Sequence, residues 1–299
     1  MRRYLLLLLI ALNGACQSSP PLPPLPAWQS PEGREHVDLG MIRDLGNGQS
    51  LTPEQLVVRL AAAPRVLVGE QHDNPDHHAL QLWLLQAMSA RRPQGSVLLE
   101  MLTPDQQGRV EQVQRETRQA HAPADLPRAL AWQKGWDWSL YGPLVSFAVA
   151  QPYPLLPANL APGEVGVIYH QRPVLTGVES TRDSVREQLL QQVRESHCGM
   201  LPEEALPAML AVQQQRDRRM ARSVMESPAP SLLFAGSYHV RKDLGVPLHM
   251  ADLHSAEPAV VLLLAQVGNQ VDARNADYVW YTAALPDQDY CAQMRMPSR

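Results

Sequence analysis

Two short segments of this chain repeat one arrangement of chemically versatile residues. GEQH at residues 69–72 and GSYH at residues 236–239 each place a histidine three residues after a glycine. A carboxylate lies inside the first segment, and another follows a separate apolar run. Imidazole and carboxylate groups exchange protons near neutral pH and bind ligands, so they predict a functional cluster wherever a fold brings them together. The four candidate side chains are Glu70, His72, Glu100 and His239.

Each candidate follows a short apolar run that is typical of a buried β-strand. Between the first two runs, Asn74 is a suitable helix cap, Pro75 fits the first helical turn, and apolar residues recur at helical spacing. This alternation predicts an α/β fold, with a mostly parallel sheet flanked by helices. Ligands bind beyond the carboxyl ends of parallel strands, so we expect one cleft to collect the candidates. The apolar runs are residues 65–68, 96–99, 153–156, 231–234, 260–265 and 278–281.

The remaining sequence predicts how the chain is organised around that cleft. Residues 181–226 are charged and helical in composition, and they predict two or three helices forming a side or capping layer. No domain boundary is evident, so residues 35–299 are interpreted as a single domain. A formal net charge of −4 provides no basic surface for nucleic acid, which we exclude as a partner.

Each element of the predicted cluster also has a plainer interpretation. A histidine after a strand is commonly a hydrogen-bonded loop residue, and Glu70 or Glu100 alone would cap a helix. The glycines of the two segments are expected to allow tight turns. His77 and His78 lie in the first turn of the predicted helix, where at least one is expected to be structural.

The N-terminus has the layout of an export signal, and residues 1–15 are interpreted as a signal peptide. Arg2 and Arg3 precede an apolar run that is too short to span a bilayer. Gly14 and Ala15 before Cys16 resemble a lipobox, so acylation of Cys16, for example with palmitate, is expected; simple secretion is the alternative. Gln17 after Cys16 fits sorting to the outer membrane, facing the periplasm. Residues 16–34 are rich in Pro and Ser and predict a mobile, lipid-anchored linker.

Two further groups of residues suit ligand binding. Trp132, Trp136, Trp138 and Tyr141 would wall a planar ligand or fill a corner of the core. Tyr238 and Arg241 stand beside His239 and would suit an anionic, partly aromatic ligand. Asp217, next to Arg216 on a predicted helix, either positions a carboxylate or faces solvent. With Cys16 acylated, Cys198 and Cys291 remain, and their pairing is left open.

An ordered series of motifs over almost the whole chain resembles the ChaN family of haem-binding, iron-regulated uptake lipoproteins. These motifs are GEQHDNPDHHALQ, LLEM with DQQ, YGPLVSFA, PLLPANL, HCGMLPE with QRDRRMA, AGSYHVRKDLGVP and DYVW. The resemblance implies an α/β fold, a lipid-anchored exported protein, and cofacial haem binding in a dimer with tyrosine and histidine near the iron. The chain is similar, more distantly, to the TIKI and erythromycin esterase group. That likeness implies a hydrolytic site, metal-dependent in the TIKI branch, formed by Glu70, His72, Glu100 and His239.

The candidates for haem ligation are tyrosines and histidines, because tyrosinate favours ferric iron and tolerates release. We favour Tyr169 and His197, although Tyr169 ends an apolar run that would suit a core, and His197 would suit a helix end. Arg241 is the candidate for pairing with haem propionates. The other candidates are Tyr141 and Tyr238 for the phenolate, and His170 and His239 for its partner.

The leading functional hypothesis is a haem-binding lipoprotein that takes part in haem or iron acquisition and dimerises on haem. The alternative is an enzyme, a hydrolase in which the four cleft residues hold a divalent metal such as zinc or manganese and its water is the nucleophile. A third hypothesis retains the cleft as architecture and places the haem surface elsewhere.

Overall fold

The computed structural model describes residues 21–295, which form a three-layer α/β fold around an eight-stranded sheet. The strand order is β2-β1-β8-β7-β3-β6-β4-β5, and pairing is parallel from β8 through β5. The strands are β1 (Ile42–Asp44), β2 (Ser50–Leu51), β3 (Arg65–Glu70), β4 (Ser96–Leu99), β5 (Leu155–Pro157), β6 (Ser231–Gly236), β7 (Val260–Gln266) and β8 (Tyr278–Thr282). The predicted fold class is confirmed, and every predicted apolar run contributes a strand.

Helices cover both faces of the sheet. The helices are α1 (Pro53–Ala62), α2 (Pro75–Arg91), α3 (Gln107–Arg118), α4 (Leu126–Ala129), α5 (Trp138–Val149), α6 (Pro162–Gln171), α7 (Asp183–Ser196), α8 (Leu206–Glu226), α9 (Ser237–Val240), α10 (Val246–Asp252) and α11 (Tyr290–Arg295). Short 3₁₀ turns at Pro104–Gln106 and Glu203–Ala205 precede α3 and α8. None of the helices between residues 21 and 295 is long and apolar enough to cross a membrane.

Two apolar cores hold the layers together, one on each face of the sheet. Leu84, Leu99 and Trp280 belong to the larger core, beneath α1, α2, α3 and α5. Leu67 and Val224 belong to the smaller core, beneath α8 and α10. The strands alternate between these cores, as expected for a parallel sheet that is buried on both faces.

The segment that precedes β1 is not a free linker where the structure describes it. The indole N–H of Trp83 donates to the carbonyl of Pro23 at 2.9 Å, and the backbone N–H of Ser30 donates to Asp76 at 3.0 Å. Glu32 forms an isolated β-bridge with Ala284. The prediction of a mobile linker to residue 34 is therefore corrected, because these contacts attach residues from about 22 onwards to the domain. Cys16 and the predicted signal peptide lie outside the described residues.

The predicted helical side layer consists of α7 and α8, and the turn between them is tied to the C-terminus. Cys198 and Cys291 form a disulfide across 93 residues. The neighbouring Tyr290 hydroxyl donates to Asp73, in the loop after β3. The C-terminal helix α11 thus joins the helical layer to that loop.

The disulfide leads to a testable expectation for the number of free thiols in the protein. In mature protein with Cys16 replaced by serine, thiol titration in denaturant is expected to detect no free thiol until a reductant is added. Two thiols per chain should then appear, from Cys198 and Cys291. Detection of free thiols before reduction would contradict the pairing.

His77 is a structural residue that the fold holds neutral. Its Nδ1 accepts from the backbone N–H of Gln71 at 2.8 Å, and its Nε2 lies 3.0 Å from the Thr282 hydroxyl. Burial lowers its pKa from 6.5 to about 3. Protonation would remove the acceptor that Gln71 requires, so the predicted structural role is supported.

We therefore expect the free energy of unfolding to fall as the pH drops from 6.5 towards 3. The unfolded chain takes up a proton on this histidine in that range and the folded chain does not, which gives a loss of about 2–3 kcal/mol between pH 7 and pH 4.5. Urea unfolding at both pH values should show the loss, and His77→Gln should make it smaller. An equal loss in the variant would contradict this assignment.

Candidate functional site

Three of the four predicted residues, Glu70, His72 and His239, line a cleft of about 710 Å³ at the carboxyl ends of the central strands. The fourth, Glu100, is buried and lies 3.2 Å from His239. One wall is the loop after β3, the floor is formed by β6 and the short helix α9, and another wall is the end of α7. The parallel register pairs Glu70 with Gly236 and Leu99 with Phe234. This register places Glu70 and Glu100 on either side of β6, at the carboxyl ends of the parallel strands.

The first half of the site is organised around the Glu70 carboxylate, which is almost fully buried. Its Oε1 accepts from the hydroxyl of Tyr141 at 2.7 Å and from Nδ1 of His72 at 2.8 Å. Nε2 of His78 lies 3.2 Å from Glu70 Oε2, but that nitrogen is 2.9 Å from the carbonyl of His72 and donates there. Glu70 Oε2 consequently has no hydrogen-bond partner.

The imidazole of His72 is half-exposed, and its pKa is raised above the usual value. Burial alone would lower its pKa, but the hydrogen bond to Glu70 and the negative charge of Glu100 raise it. The phenol of Tyr141 behaves in the opposite way, because burial and the Glu70 carboxylate raise its pKa far above the usual value. Tyr141 therefore stays protonated and acts as a donor that positions Glu70.

The second half of the site is a buried chain of alternating charges. Nδ1 of His239 lies 2.5 Å from Asp217, and its Nε2 lies 3.2 Å from Glu100. Although burial opposes the charged form, the two carboxylates raise the pKa of His239 to about 10. The pKa of Glu100 is well below its usual value, because the charge of His239 and a hydrogen bond from the backbone N–H of Gly236 outweigh burial. His239 is thus an imidazolium between two acidic groups.

The glycines of the two repeated segments are required for space. A Cβ on Gly236 would lie 2.8 Å from Cε1 of His72, and a Cβ on Gly69 would lie 2.5 Å from Val240. Neither glycine has a positive φ. The expectation of tight turns is therefore corrected: the glycine of each strand leaves room for residues that follow the other strand, Val240 after β6 and His72 after β3.

The four cleft residues do not fit the predicted divalent metal site. Within residues 21–295, no group of three or more histidine, cysteine, aspartate or glutamate side chains is arranged to hold a metal ion. A ligating imidazole needs a free lone pair, whereas both nitrogens of His239 face carboxylates. The structure therefore gives no support to the metal-dependent interpretation, and it shows an acid–base cluster instead.

The aromatic residues form a wall beside this cluster. Trp136 contacts His72 edge-on, with ring centroids 5.0 Å apart, and it also contacts Tyr141. Trp132 and Trp138 pack on each other and on the larger core. These side chains support the His72 region, and Trp132, Trp136 and Trp138 also line a second, more open pocket of about 710 Å³.

The predicted haem-binding residues lie in three separate places. Tyr141 is buried inside the cluster, which disfavours it as a phenolate ligand. Tyr238 is 44% exposed and lines the cleft, where Arg241 stacks over its ring at 5.6 Å. The guanidinium of Arg241 is already held by both carboxylate oxygens of Asp243, at 2.9 and 2.6 Å. Arg241 is therefore a poor candidate for binding a propionate.

Tyr169 and His170 lie on α6, outside the cleft, with ring centroids 5.6 Å apart. No residue of α6 is buried, so the alternative that Tyr169 belongs to the core is wrong. His197 closes α7, and its Nδ1 donates to the carbonyl of Val193 at 2.8 Å. That bond fixes the tautomer in which Nε2 carries the free lone pair.

Comparison with known proteins assigns the family. Residues 56–250, more than half of the chain, match the family model described as haem-binding uptake, Tiki superfamily, ChaN. The chain belongs to this family. The ChaN protein of Campylobacter jejuni, solved with cofacial haem, has a similar structure, with 30% sequence identity and a TM-score of 0.74. The match covers 85% of this chain and 98% of the Campylobacter protein.

A more distant likeness joins this ChaN-family chain to an erythromycin esterase solved in an open conformation. The two share 13% identity over 81% of this chain and 82% of the esterase, with a TM-score of 0.43. That similarity is too low to inform on function. No curated protein sequence matches the chain.

Proposed function

We propose that this protein binds haem reversibly at a two-fold interface, as part of haem or iron acquisition. Family membership and the cofacial haem of the Campylobacter ChaN support this proposal. The observation that carries it for this chain is an uncovered apolar surface around Tyr169, which we call the α6 surface. It comprises α6 and the segment that follows it, residues 162–178.

Three of the nine exposed large apolar side chains among the described residues lie on the α6 surface. Val167 is 52% exposed, Val174 92% and Val178 74%, and no residue of α6 is buried. Exposed apolar patches of this kind mark binding surfaces for proteins or ligands. A porphyrin and a second copy of the chain would both remove these side chains from water, which fits a ligand shared across a two-fold axis.

Tyr169 and His197 have the properties required near the iron. Tyr169 is accessible on the α6 surface, where a phenolate would bind ferric iron and still allow release. His197 has Nε2 as its unprotonated nitrogen, because its Nδ1 donates to the carbonyl of Val193. We assign Tyr169 the role of axial ligand. We assign His197 of either protomer the role of its partner.

Arg172 is better placed than Arg241 to pair with a propionate. It follows α6, three residues after Tyr169, and is exposed. Within the described part of the chain, no carboxylate forms an ion pair with it. Its charge is thus available to a ligand.

A single substitution on the α6 surface tests the interface. Val174→Glu is expected to prevent haem-dependent dimerisation, because a carboxylate would have to be desolvated between the protomers. Haem affinity should fall about tenfold or more as the enclosing partner is lost. Size-exclusion chromatography with light scattering, with and without haemin, measures both the mass and the bound haem.

Val37→Glu is the matched control, since Val37 is an equally small residue, 87% exposed and outside the α6 surface. Both variants should unfold within about 0.5 kcal/mol of the wild type, because neither valine is packed. Normal haem-induced dimerisation of Val174→Glu would contradict the proposed interface.

We also propose that the protein is anchored to the outer membrane, facing the periplasm, through acylated Cys16. The export layout and Gln17 support this proposal. Cys16→Ala should abolish incorporation of radiolabelled palmitate in cells and release the protein from the membrane fraction. Retention of the label in that variant would refute the assignment.

A further inference from the structure

The cleft contains polar chemistry that haem binding on the α6 surface does not use. Its volume of about 710 Å³ lies within the range of small-molecule sites. Its lining is rich in uncharged amides. Among them, Gln192, Gln266, Asn269 and Gln270 make no side-chain hydrogen bond to any other residue between 21 and 295.

Two of these amides and one carboxylate hold atoms that are shielded from solvent and still lack a partner. These atoms are Gln192 Oε1, Gln266 Nε2 and Glu70 Oε2. Polar atoms in this condition destabilise a protein unless a hydrogen bond is supplied. The protein thus offers two unpaired acceptors and one unpaired donor. Hydroxyl and amide groups of a ligand can pair with both kinds, because they both donate and accept hydrogen bonds.

The charges of the cleft disfavour an anionic ligand. The cationic His239 is enclosed by Glu100 and Asp217, and the guanidinium of Arg241 is paired with Asp243. The lining also includes the carboxylates of Glu70 and Glu195. The imidazole of His72 also lines the cleft, and its Nδ1 is hydrogen-bonded to Glu70. Each cationic group of the lining is thus already paired with a carboxylate, so an anion would find no unpaired positive partner and would face these carboxylates, at an electrostatic cost. The same argument disfavours the dianionic edge of haem in the cleft.

The exposed ring of Tyr238 completes the site. It is 44% exposed and lines the same cleft, so it offers a flat apolar surface beside the amides. Aromatic rings of this kind provide contact area while nearby polar groups fix orientation.

We propose that this cleft is a second binding site, separate from the α6 surface, for a neutral small molecule that carries hydroxyl or amide groups, such as a short saccharide. Tyr238 packs against the ligand, and the free amides together with Glu70 hydrogen-bond to it.

Three matched disaccharides test this proposal. N,N′-diacetylchitobiose is neutral and carries both hydroxyl and amide groups, its deacetylated form is cationic, and cellobiuronic acid is anionic. Binding is measured by isothermal titration and saturation-transfer NMR on the mature protein without haem. The neutral probe is expected to bind saturably with a Kd below about 1 mM and at least about tenfold more tightly than the anionic probe.

Two tyrosine variants separate the cleft from the haem surface. Tyr238→Ala should weaken binding of the neutral probe at least about tenfold and leave haem binding unchanged, whereas Tyr169→Ala should do the reverse. Both tyrosines are at least partly exposed, so both variants should fold, as circular dichroism would show. Gln270→Ala provides a second change at an exposed residue of the cleft and should also weaken binding of the neutral probe.

Several outcomes would overturn the proposal. The first is the absence of saturable binding of the neutral probe up to about 10 mM, and the second is about equal binding of the neutral and anionic probes. The third is a Tyr238→Ala variant that no longer binds haem but still binds the neutral probe. Failure of the wild type to bind haem would refute the proposed function alone, because the cleft measurement uses no haem.

Discussion

Tyr169→Phe is expected to weaken haem binding by about 100-fold or more, equivalent to about 3 kcal/mol, and to change the ferric spectrum. The substitution removes only the phenolic oxygen that would bind iron and keeps the apolar ring. Since no residue of α6 is buried, the free energy of unfolding should change by less than about 0.5 kcal/mol. Haemin titration followed in the Soret and charge-transfer regions measures the affinity and the ligand change together.

Tyr238→Phe is the control for that experiment. Tyr238 is another exposed tyrosine, and it lies in the cleft. Its loss of a hydroxyl should leave both the haem affinity and the spectrum unchanged. A wild-type spectrum for Tyr169→Phe would contradict the assignment of Tyr169 as the axial ligand. Loss of the tyrosinate features in Tyr238→Phe would also contradict it and would indicate that the axial ligand lies in the cleft.

His239→Gln is expected to produce the largest loss of stability, about 3–5 kcal/mol at pH 7. The imidazolium lies between Glu100 and Asp217, and all three side chains are buried. Without its positive charge, two carboxyl groups remain in a low-dielectric site with no opposite charge. Burial already raises the pKa of Asp217, so at least one carboxyl would take up a proton in the variant.

Chemical denaturation at pH 7 measures this loss, and Glu203→Gln provides the control. Glu203 pairs with Arg194 on the surface, where its carboxylate is largely exposed. Exposed ion pairs contribute less than about 1 kcal/mol, so the control should remain close to the wild type. Similar small losses in both variants would show that the buried charges are not coupled as described.

The same histidine predicts a loss of stability on the alkaline side. Its folded pKa of about 10 is above the ordinary value of 6.5, so its contribution is fully present below pH 6.5 and is lost as the pH rises towards 10. The expected decrease between pH 7 and pH 9 is about 2–3 kcal/mol. His239→Gln should lack this decrease, and an unchanged alkaline slope in the variant would contradict the raised pKa.

The sequence predicts the central sheet well because the strands that form it are apolar on both faces. Runs such as residues 65–68 and 231–234 stand out for that reason. The antiparallel strands β1 and β2 lack this signal, since they are only three and two residues long, IRD and SL, and neither forms an apolar run. Antiparallel pairing at an edge depends on a neighbour that is distant in sequence, here β8.

The candidate site was predictable in its position and less so in its chemistry. Strand ends located Glu70, Glu100 and the two histidines, but spacing along the chain does not show which atoms pair. Asp217 had a detectable signal: it shares a helical face with Met220, Ala221 and Val224, all of which are buried. A carboxylate on the apolar face of a helix requires a partner, and His239 is that partner.

The same kind of ambiguity affected α6. Its apolar sequence suits either a core or an interface, and only the three-dimensional arrangement shows that no layer covers it. The prediction that Tyr169 is near the iron remains a prediction, but the alternative of a core residue has been removed.

Haemin titration of the mature wild-type protein, with absorption spectroscopy and light scattering on the same samples, tests the central claim most directly. We expect a saturable ferric tyrosinate spectrum at one haem per protomer, accompanied by conversion of monomer to dimer. Saturation of a protein that remains monomeric, or the absence of any saturable haem band, would contradict haem binding at a shared α6 surface.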